Sequence, residues 1–156
     1  MTRPLAPTQS GGATAATLVV GFDSTVGSIA ALRAAADLGE RLEAELVVVH
    51  AIDLIDYPVD PDAGDYEQQA EKVVEVERGA VAAALRDYRP GWSFRALRAD
   101  PADALRKVAD ECAALMIVVG FHDRGSRLVD HLLAPDVPSE IIRRSGRPVL
   151  VVGAHP

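Results

Sequence analysis

The chain has 156 residues, of which 49% are hydrophobic and 25% are charged, and its formal net charge is −7. This length and apolar content are typical of one folded domain with a substantial core. The negative charge argues against nonspecific binding to nucleic acids or to anionic membranes, because both require a basic surface. We therefore expect neither partner.

The sequence contains one cysteine, Cys112, which cannot form an internal disulfide and falls on the apolar stripe of a predicted helix. Residues 1–16 are rich in proline, threonine, alanine and glycine and lack the apolar core of a signal peptide. We predict that they form a disordered tail before a single domain at 17–154. No apolar run reaches the roughly 20 residues that cross a bilayer. These features predict a cytoplasmic protein.

Near-continuous apolar segments predict four strands buried on both faces of a sheet. They lie at residues 18–22, 46–51, 115–120 and 149–153. In residues 92–98, Trp92, Phe94 and Ala96 instead fall on one side of the strand, and Ser93, Arg95 and Leu97 fall on the other. This alternation is typical of a half-exposed edge strand.

Helical periodicity separates these strands. Residues 28–42 and 70–88 carry apolar side chains at three-to-four spacing. A third helix begins at Asp100 as its N-cap, and a fourth begins at Asp136 and is predicted to end at Gly146. The acidic, proline-containing segment 53–65 is predicted to be a solvated loop inside the domain.

Alternating strands and helices predict an α/β fold: a doubly wound, five-stranded parallel sheet with helices on both faces. If the fourth strand returns beside the first, the strand order is 3-2-1-4-5. The order reverses between strands one and four, and open sheets of this type bind ligands at such a reversal. Asp23 and Gly120 would then flank one crevice.

Several segments resemble the universal stress protein family. They are LVVGFDS at 18–24, ADPA at 99–102, the strand that runs into Gly120, and RPVLVV at 147–152. The resemblance implies an adenine nucleotide alpha hydrolase-like fold and a homodimeric stress-response function. In this family, members that bind ATP carry the pattern G-x2-G-x9-G-[ST] after the fourth strand.

The chain departs from that pattern where phosphate would be held. Gly120 matches the first glycine, but Asp123 stands at the second, and Pro135 and Asp136 stand at the final glycine and hydroxyl. Proline has no N–H to donate, and Asp136 can cap the helix with its own carboxylate. A carboxylate about 4 Å from a phosphate costs on the order of 4 kcal/mol at an effective dielectric of 20. The sequence therefore predicts weak or absent ATP binding.

Four further residues are candidates for a vestigial nucleotide site. Arg124, Gly125 and Arg127 could contact phosphate, or they could be ordinary solvated loop residues. Asp23 occupies the position that faces adenosine in nucleotide-binding members, yet it could equally cap the first helix. The alternative function is thus true binding of ATP, AMP or cyclic AMP, possibly with slow hydrolysis. If the anion site is lost, substitution of the remaining glycines should barely affect stability.

Catalytic and metal sites receive little support. Ser24, His50 and His122 could assemble with Asp23, but the nucleophile pattern G-x-S-x-G is absent. The His and Asp pairs at 122–123 and 130–131 lack regular metal-ligand spacing. We therefore predict a protein that is not an enzyme, with no metal and no certain cofactor.

The last predicted strand indicates how the protein assembles. Val149, Val151 and Val152 lie on an apolar edge strand without the charges that normally prevent edge pairing. The family resemblance implies antiparallel pairing of this strand across a two-fold axis. We expect a homodimer with these three valines in its interface.

Overall fold

Alternating apolar strands and amphipathic helices form the predicted α/β architecture. The structure is a computed structural model that describes residues 15–52, 66–121 and 137–154. The strands are β1 (Thr17–Gly21), β2 (Glu45–Ala51), β3 (Trp92–Leu97), β4 (Met116–Phe121) and β5 (Val149–Gly153). The helices are α1 (Val26–Leu42), α2 (Tyr66–Ala84), α3 (Pro101–Glu111) and α4 (Val137–Arg144).

All four strand pairings are parallel, and the order β3-β2-β1-β4-β5 confirms the prediction. The sheet is therefore Rossmann-like, with β1 at its centre between β2 and β4. Because the order reverses between β1 and β4, their carboxyl ends diverge into helices on opposite sides. The sequence predicts a crevice at these two strand ends.

Two apolar layers cover the sheet. On one face, side chains of α1 and α2, including Leu32 and Val81, pack on Leu18, Val20 and Val48. On the other face, residues of α3 and α4 pack against alternate positions of the same strands. That second layer contains Val19, Val47, Leu105, Val108, Ile117 and Ile141. Each central strand is thus buried on both faces, as its continuous apolar sequence predicts.

The helix termini agree only in part with the prediction. Asp100 caps α3 as expected, because its Oδ1 accepts hydrogen bonds from Ala102 N at 3.0 Å and Asp103 N at 3.2 Å. Gly146 does not end α4 in a left-handed conformation. Instead the Ser145 amide donates to Ile141 O at 2.7 Å, and the Ser145 hydroxyl closes the following turn. Asp136 lies outside the described residues.

Helix α2 ends earlier than predicted, at Ala84 rather than at residue 88. The chain then turns, and Tyr88 extends toward α1, where its hydroxyl donates a short hydrogen bond to the carbonyl of Ala44. A Cβ atom on Gly39 would overlap that hydroxyl. Burial raises the pKa of Tyr88, and the nearby carboxylate of Glu40 raises it further.

Strand β5 is an edge strand, and the prediction that it is buried on both faces is wrong. Leu150 is 37% exposed and Val151 is 36% exposed. The reason is topological: β5 pairs with β4 on one side only, as its predicted place at the sheet edge requires. Its apolar composition alone suggests burial on both faces. Its start is held by Arg147, whose guanidinium donates to Ala114 O at 2.6 Å and contacts the Asp110 carboxylate at 3.4 Å.

Two predicted features lie largely or wholly outside the described residues: the tail up to residue 14 and the acidic segment 53–65. Ala16, predicted as the last residue of the tail, accepts a hydrogen bond from Glu45 N at 2.8 Å. None of the helices that the structure describes has the length and apolar character needed to cross a membrane.

Candidate functional site

The candidate site is the crevice at the carboxyl edge of the sheet, between β1 and β4. Asp23 follows β1, Gly120 lies near the end of β4, and the first turn of α1 packs against β4 between them. Parallel strand ends and a helix N-terminus meet here, which is the usual origin of ligand sites in open α/β sheets.

The turn between β1 and α1 is held by local hydrogen bonds. Thr25, not Asp23, is the N-cap of α1, and its hydroxyl accepts from Ser28 N at 3.2 Å. Asp23 supports this cap indirectly, since its Oδ1 accepts from Thr25 N at 3.1 Å and from Thr25 Oγ1 at 2.5 Å. The Asp23 amide donates to Ser28 Oγ at 3.2 Å. Both contacts of the Asp23 carboxylate with described residues use Oδ1, and the residue is exposed.

A residue that sequence reasoning missed also contacts this turn. Glu77 of α2 is only 8% exposed, and its Oε2 accepts a 2.6 Å hydrogen bond from Ser24 Oγ. Ser24 has φ of +58°, in the left-handed region that few residues other than glycine adopt. Glu77 interrupts the apolar stripe of α2. A charged residue at a position predicted to be buried was the feature of the sequence that could have identified it.

His50, a candidate partner of Asp23 in the sequence, has a buried side chain. It is 6% exposed, and its Nδ1 lies 3.0 Å from Phe22 O, to which it donates. The imidazole stacks near Phe94, with ring centroids 6.5 Å apart. Its Nε2 is buried and has no hydrogen-bond partner among the described residues. His50 thus fixes the residue at which β1 leaves the sheet.

The structure gives Gly120 a packing role that the sequence did not reveal. A Cβ atom at this position would overlap the carbonyl group of Gly27 and lie 2.6 Å from Ser28 N. These neighbours are backbone atoms of α1 and cannot rotate away. The expectation that substituting the remaining glycines barely affects stability is therefore wrong for Gly120, because the residue lets α1 approach β4.

The other predicted phosphate-site residues lie outside the described residues. They are Arg124, Gly125 and Arg127, together with Asp123 and Pro135 from the family pattern. The structure therefore brings Asp23 and Gly120 to the same edge, and the assignment of the remaining residues stays a prediction from sequence.

The described residues offer little reactive chemistry beyond the crevice. Burial raises the pKa of the Cys112 thiol, which favours the unreactive protonated form, although nearby backbone groups and Arg147 act in the opposite direction. Within residues 15–52, 66–121 and 137–154, no group of three or more His, Cys, Asp or Glu side chains could hold a metal ion. His122 and His131 fall outside those ranges.

Comparison with known proteins agrees with this architecture. The model of the universal stress protein family matches residues 15–153, which is most of the chain. A search of the curated proteins finds no match.

Solved structures with similar folds include several proteins with bound nucleotides. One is a universal stress protein in complex with cAMP, at 27% identity and a TM-score of 0.64, covering 90% of this chain and 98% of its own. An Archaeoglobus fulgidus universal stress protein with dAMP has 20% identity and a TM-score of 0.62, with coverages of 88% and 97%. An Arabidopsis thaliana family protein with AMP has 13% identity and a TM-score of 0.65, with coverages of 90% and 92%. These likenesses show the same fold, and the family match over residues 15–153 shows that the chain belongs to the universal stress protein family.

Proposed function

We propose that this protein is a non-enzymatic, homodimeric stress-response module in which ATP binding is weak or absent. The observation that carries this proposal is the packing of Gly120 on Gly27. The glycine that matches the ATP pattern has a structural reason to be glycine, so its presence is no evidence for a phosphate loop.

The sequence beyond Gly120 supports the same conclusion. Asp123 would repel a phosphate group, and Pro135 offers no backbone N–H where the family pattern has a glycine. A glycine loop binds phosphate through several converging N–H donors. Asp123 and Pro135 therefore both weaken the binding of phosphate.

The adenosine end of the crevice supports a second candidate function. Thr25 occupies Oδ1 of Asp23, which leaves Oδ2 for a hydroxyl donor such as a ribose. The related structures described above hold cAMP, dAMP and AMP, each of which has one phosphate. A nucleotide with a single phosphate would depend less on the altered loop than ATP does. The second candidate is therefore a binder of AMP or cyclic AMP, with Gly125, Arg124 and Arg127 near the phosphate.

The edge strand supports assembly into a homodimer. Leu150 and Val151 are exposed apolar residues on β5, and the outer edge of this strand pairs with no other described strand. Antiparallel pairing of β5 with a second copy would satisfy those backbone groups and bury Val149, Val151 and Val152. With its one cysteine unable to pair internally, the chain suits a reducing compartment such as the cytoplasm.

Calorimetric titration of the purified protein with ATP, AMP and cyclic AMP tests the proposal. We expect no ATP binding at micromolar concentrations. The triple variant Asp123→Gly, Pro135→Gly, Asp136→Ser should raise ATP affinity by at least about tenfold, because it removes two like charges and restores the backbone N–H at position 135.

A matched control makes the same three kinds of replacement in the acidic segment: Asp62→Gly, Pro61→Gly and Asp60→Ser. This control should leave ATP affinity unchanged. Micromolar ATP binding by the unmodified protein would contradict the proposal. Selective binding of AMP or cyclic AMP would instead establish the second candidate.

A further inference from the structure

The contact between Ser24 and Glu77 combines two unfavourable features. Glu77 places a carboxylate on the buried side of α2, and burial of a charge is costly unless it is well hydrogen-bonded. Ser24 adopts a left-handed backbone conformation, which costs about 1 kcal/mol or more in a residue other than glycine. A glycine at position 24 and an apolar residue at position 77 would avoid both costs.

This contact fixes the position of Ser24 at the candidate site. The 2.6 Å bond to Glu77 fixes the side chain of Ser24, and Ser24 lies between Asp23 and the N-cap Thr25. The backbone of Ser24 thus joins Asp23 to Thr25, whose amide and hydroxyl hold the Asp23 carboxylate.

Three separate elements hold the turn formed by residues 22–25, between β1 and α1. His50 of β2 binds the carbonyl of Phe22, Ser28 of α1 binds the amide of Asp23, and Glu77 of α2 binds the hydroxyl of Ser24. The first two contacts bind main-chain atoms before Ser24. Glu77 alone among these three acts on the residue with the unusual backbone conformation.

We propose that Glu77 is a positioning residue of the crevice, which orients Asp23 through Ser24 for hydrogen bonding to the sugar hydroxyl of a nucleoside monophosphate. The ligand class in this inference rests on the second candidate function given above. The orientation of Asp23 by Glu77 does not depend on it.

Amide hydrogen exchange measured by NMR tests the positioning step without any ligand. Glu77→Leu removes the hydrogen-bond acceptor and replaces it with an apolar side chain of similar volume. Exchange at the Thr25 and Ser28 amides, which bind Asp23 Oδ1 and Thr25 Oγ1, should become about tenfold faster, because a hydrogen bond to a charged group is lost. Glu77→Gln keeps an acceptor and should stay within about twofold of the wild type.

Two controls separate this local effect from general destabilisation. The Ala102 and Asp103 amides, capped by Asp100 on α3, should exchange at wild-type rates in Glu77→Leu. Glu75→Leu makes the same chemical change at an exposed position of α2 and should affect neither cap. Equal acceleration at both caps, or no acceleration at Thr25 and Ser28, would overturn the positioning role.

Titration with AMP, followed by the same amide signals, tests the ligand step. Glu77→Leu should weaken AMP binding by about tenfold, matching Asp23→Asn, while Glu77→Gln restores it. If the wild-type protein does not bind AMP, the ligand class is wrong, and the exchange data still decide whether Glu77 orients Asp23. If AMP binds equally well to wild type and Glu77→Leu, the crevice binds nucleotide without this positioning residue.

Discussion

Gly120 of β4 and Gly27 of α1 lie so close that a methyl group on Gly120 would overlap the carbonyl of Gly27. Two glycines thus bring the first turn of α1 against the end of β4. The N-terminus of α1 therefore lies at the edge of the sheet where β1 and β4 diverge, beside Asp23.

Replacement of Gly120 by alanine should destabilise the protein by about 3 kcal/mol, since the clash is with backbone atoms and α1 must move. Urea denaturation measures this change. Gly153→Ala is the matched control, because a Cβ at that strand position meets nothing within 4 Å, and its stability should stay within about 0.5 kcal/mol of wild type. A similar stability for the two variants would refute the packing role of Gly120.

Gly39 and Tyr88 should show strong energetic coupling. Gly39→Ala forces the Tyr88 hydroxyl away from Ala44, so it should cost about 1–3 kcal/mol, and Tyr88→Phe should cost about 1 kcal/mol through the lost hydrogen bond. In the double variant the clash with the hydroxyl is gone. The combined cost should therefore fall short of the sum by about 1 kcal/mol. Additive costs in a double-mutant cycle would show that the two groups do not interact.

Tyr88 should also make stability depend on alkaline pH. Its pKa in the folded protein is raised by burial, so the folded state binds this proton more tightly than the unfolded state does. The stabilisation is complete below the unfolded pKa of about 10 and is lost as pH rises through the folded pKa. Between pH 9 and 11, the free energy of unfolding should fall more steeply for wild type than for Tyr88→Phe. Parallel pH profiles would contradict this assignment.

The proposed homodimer would have a charge-sensitive interface. Val151→Lys places an ammonium group on the exposed edge of β5 and should convert the dimer to a less stable monomer. Light scattering at micromolar concentrations measures the mass. Val76→Lys introduces the same charge at a valine of α2 that is 69% exposed, and this control should remain dimeric. A monomeric wild-type protein would rule out the interface.

Sequence reasoning predicted the features that depend on neighbouring residues. The parallel sheet follows from the alternation of apolar strands and helices, and the start of α3 follows from Asp100 and Pro101. The order 3-2-1-4-5 was predicted on the condition that the fourth strand returns beside the first, and the structure meets that condition. Contacts between distant segments were not accessible in this way. Ser24 and Glu77 are 53 positions apart, and Tyr88 and Ala44 are 44 apart.

The candidate site was predictable only in outline. The family pattern brings Asp23 and Gly120 to one edge, but it does not reveal that Thr25 caps α1 or that Gly120 packs on Gly27. Both facts depend on the path of the backbone in three dimensions. A glycine required for close packing and a glycine required for phosphate binding have the same sequence signature.

Arg147 has a consequence for the entropy of association. By joining the start of β5 to Ala114 and Asp110, it anchors this strand at one end, while pairing with β4 fixes the rest. A second chain that pairs with β5 therefore meets a strand whose backbone freedom was already lost on folding. In the proposed dimer little ordering entropy would remain to oppose docking, and release of the Arg147 anchor should weaken association by restoring part of that cost.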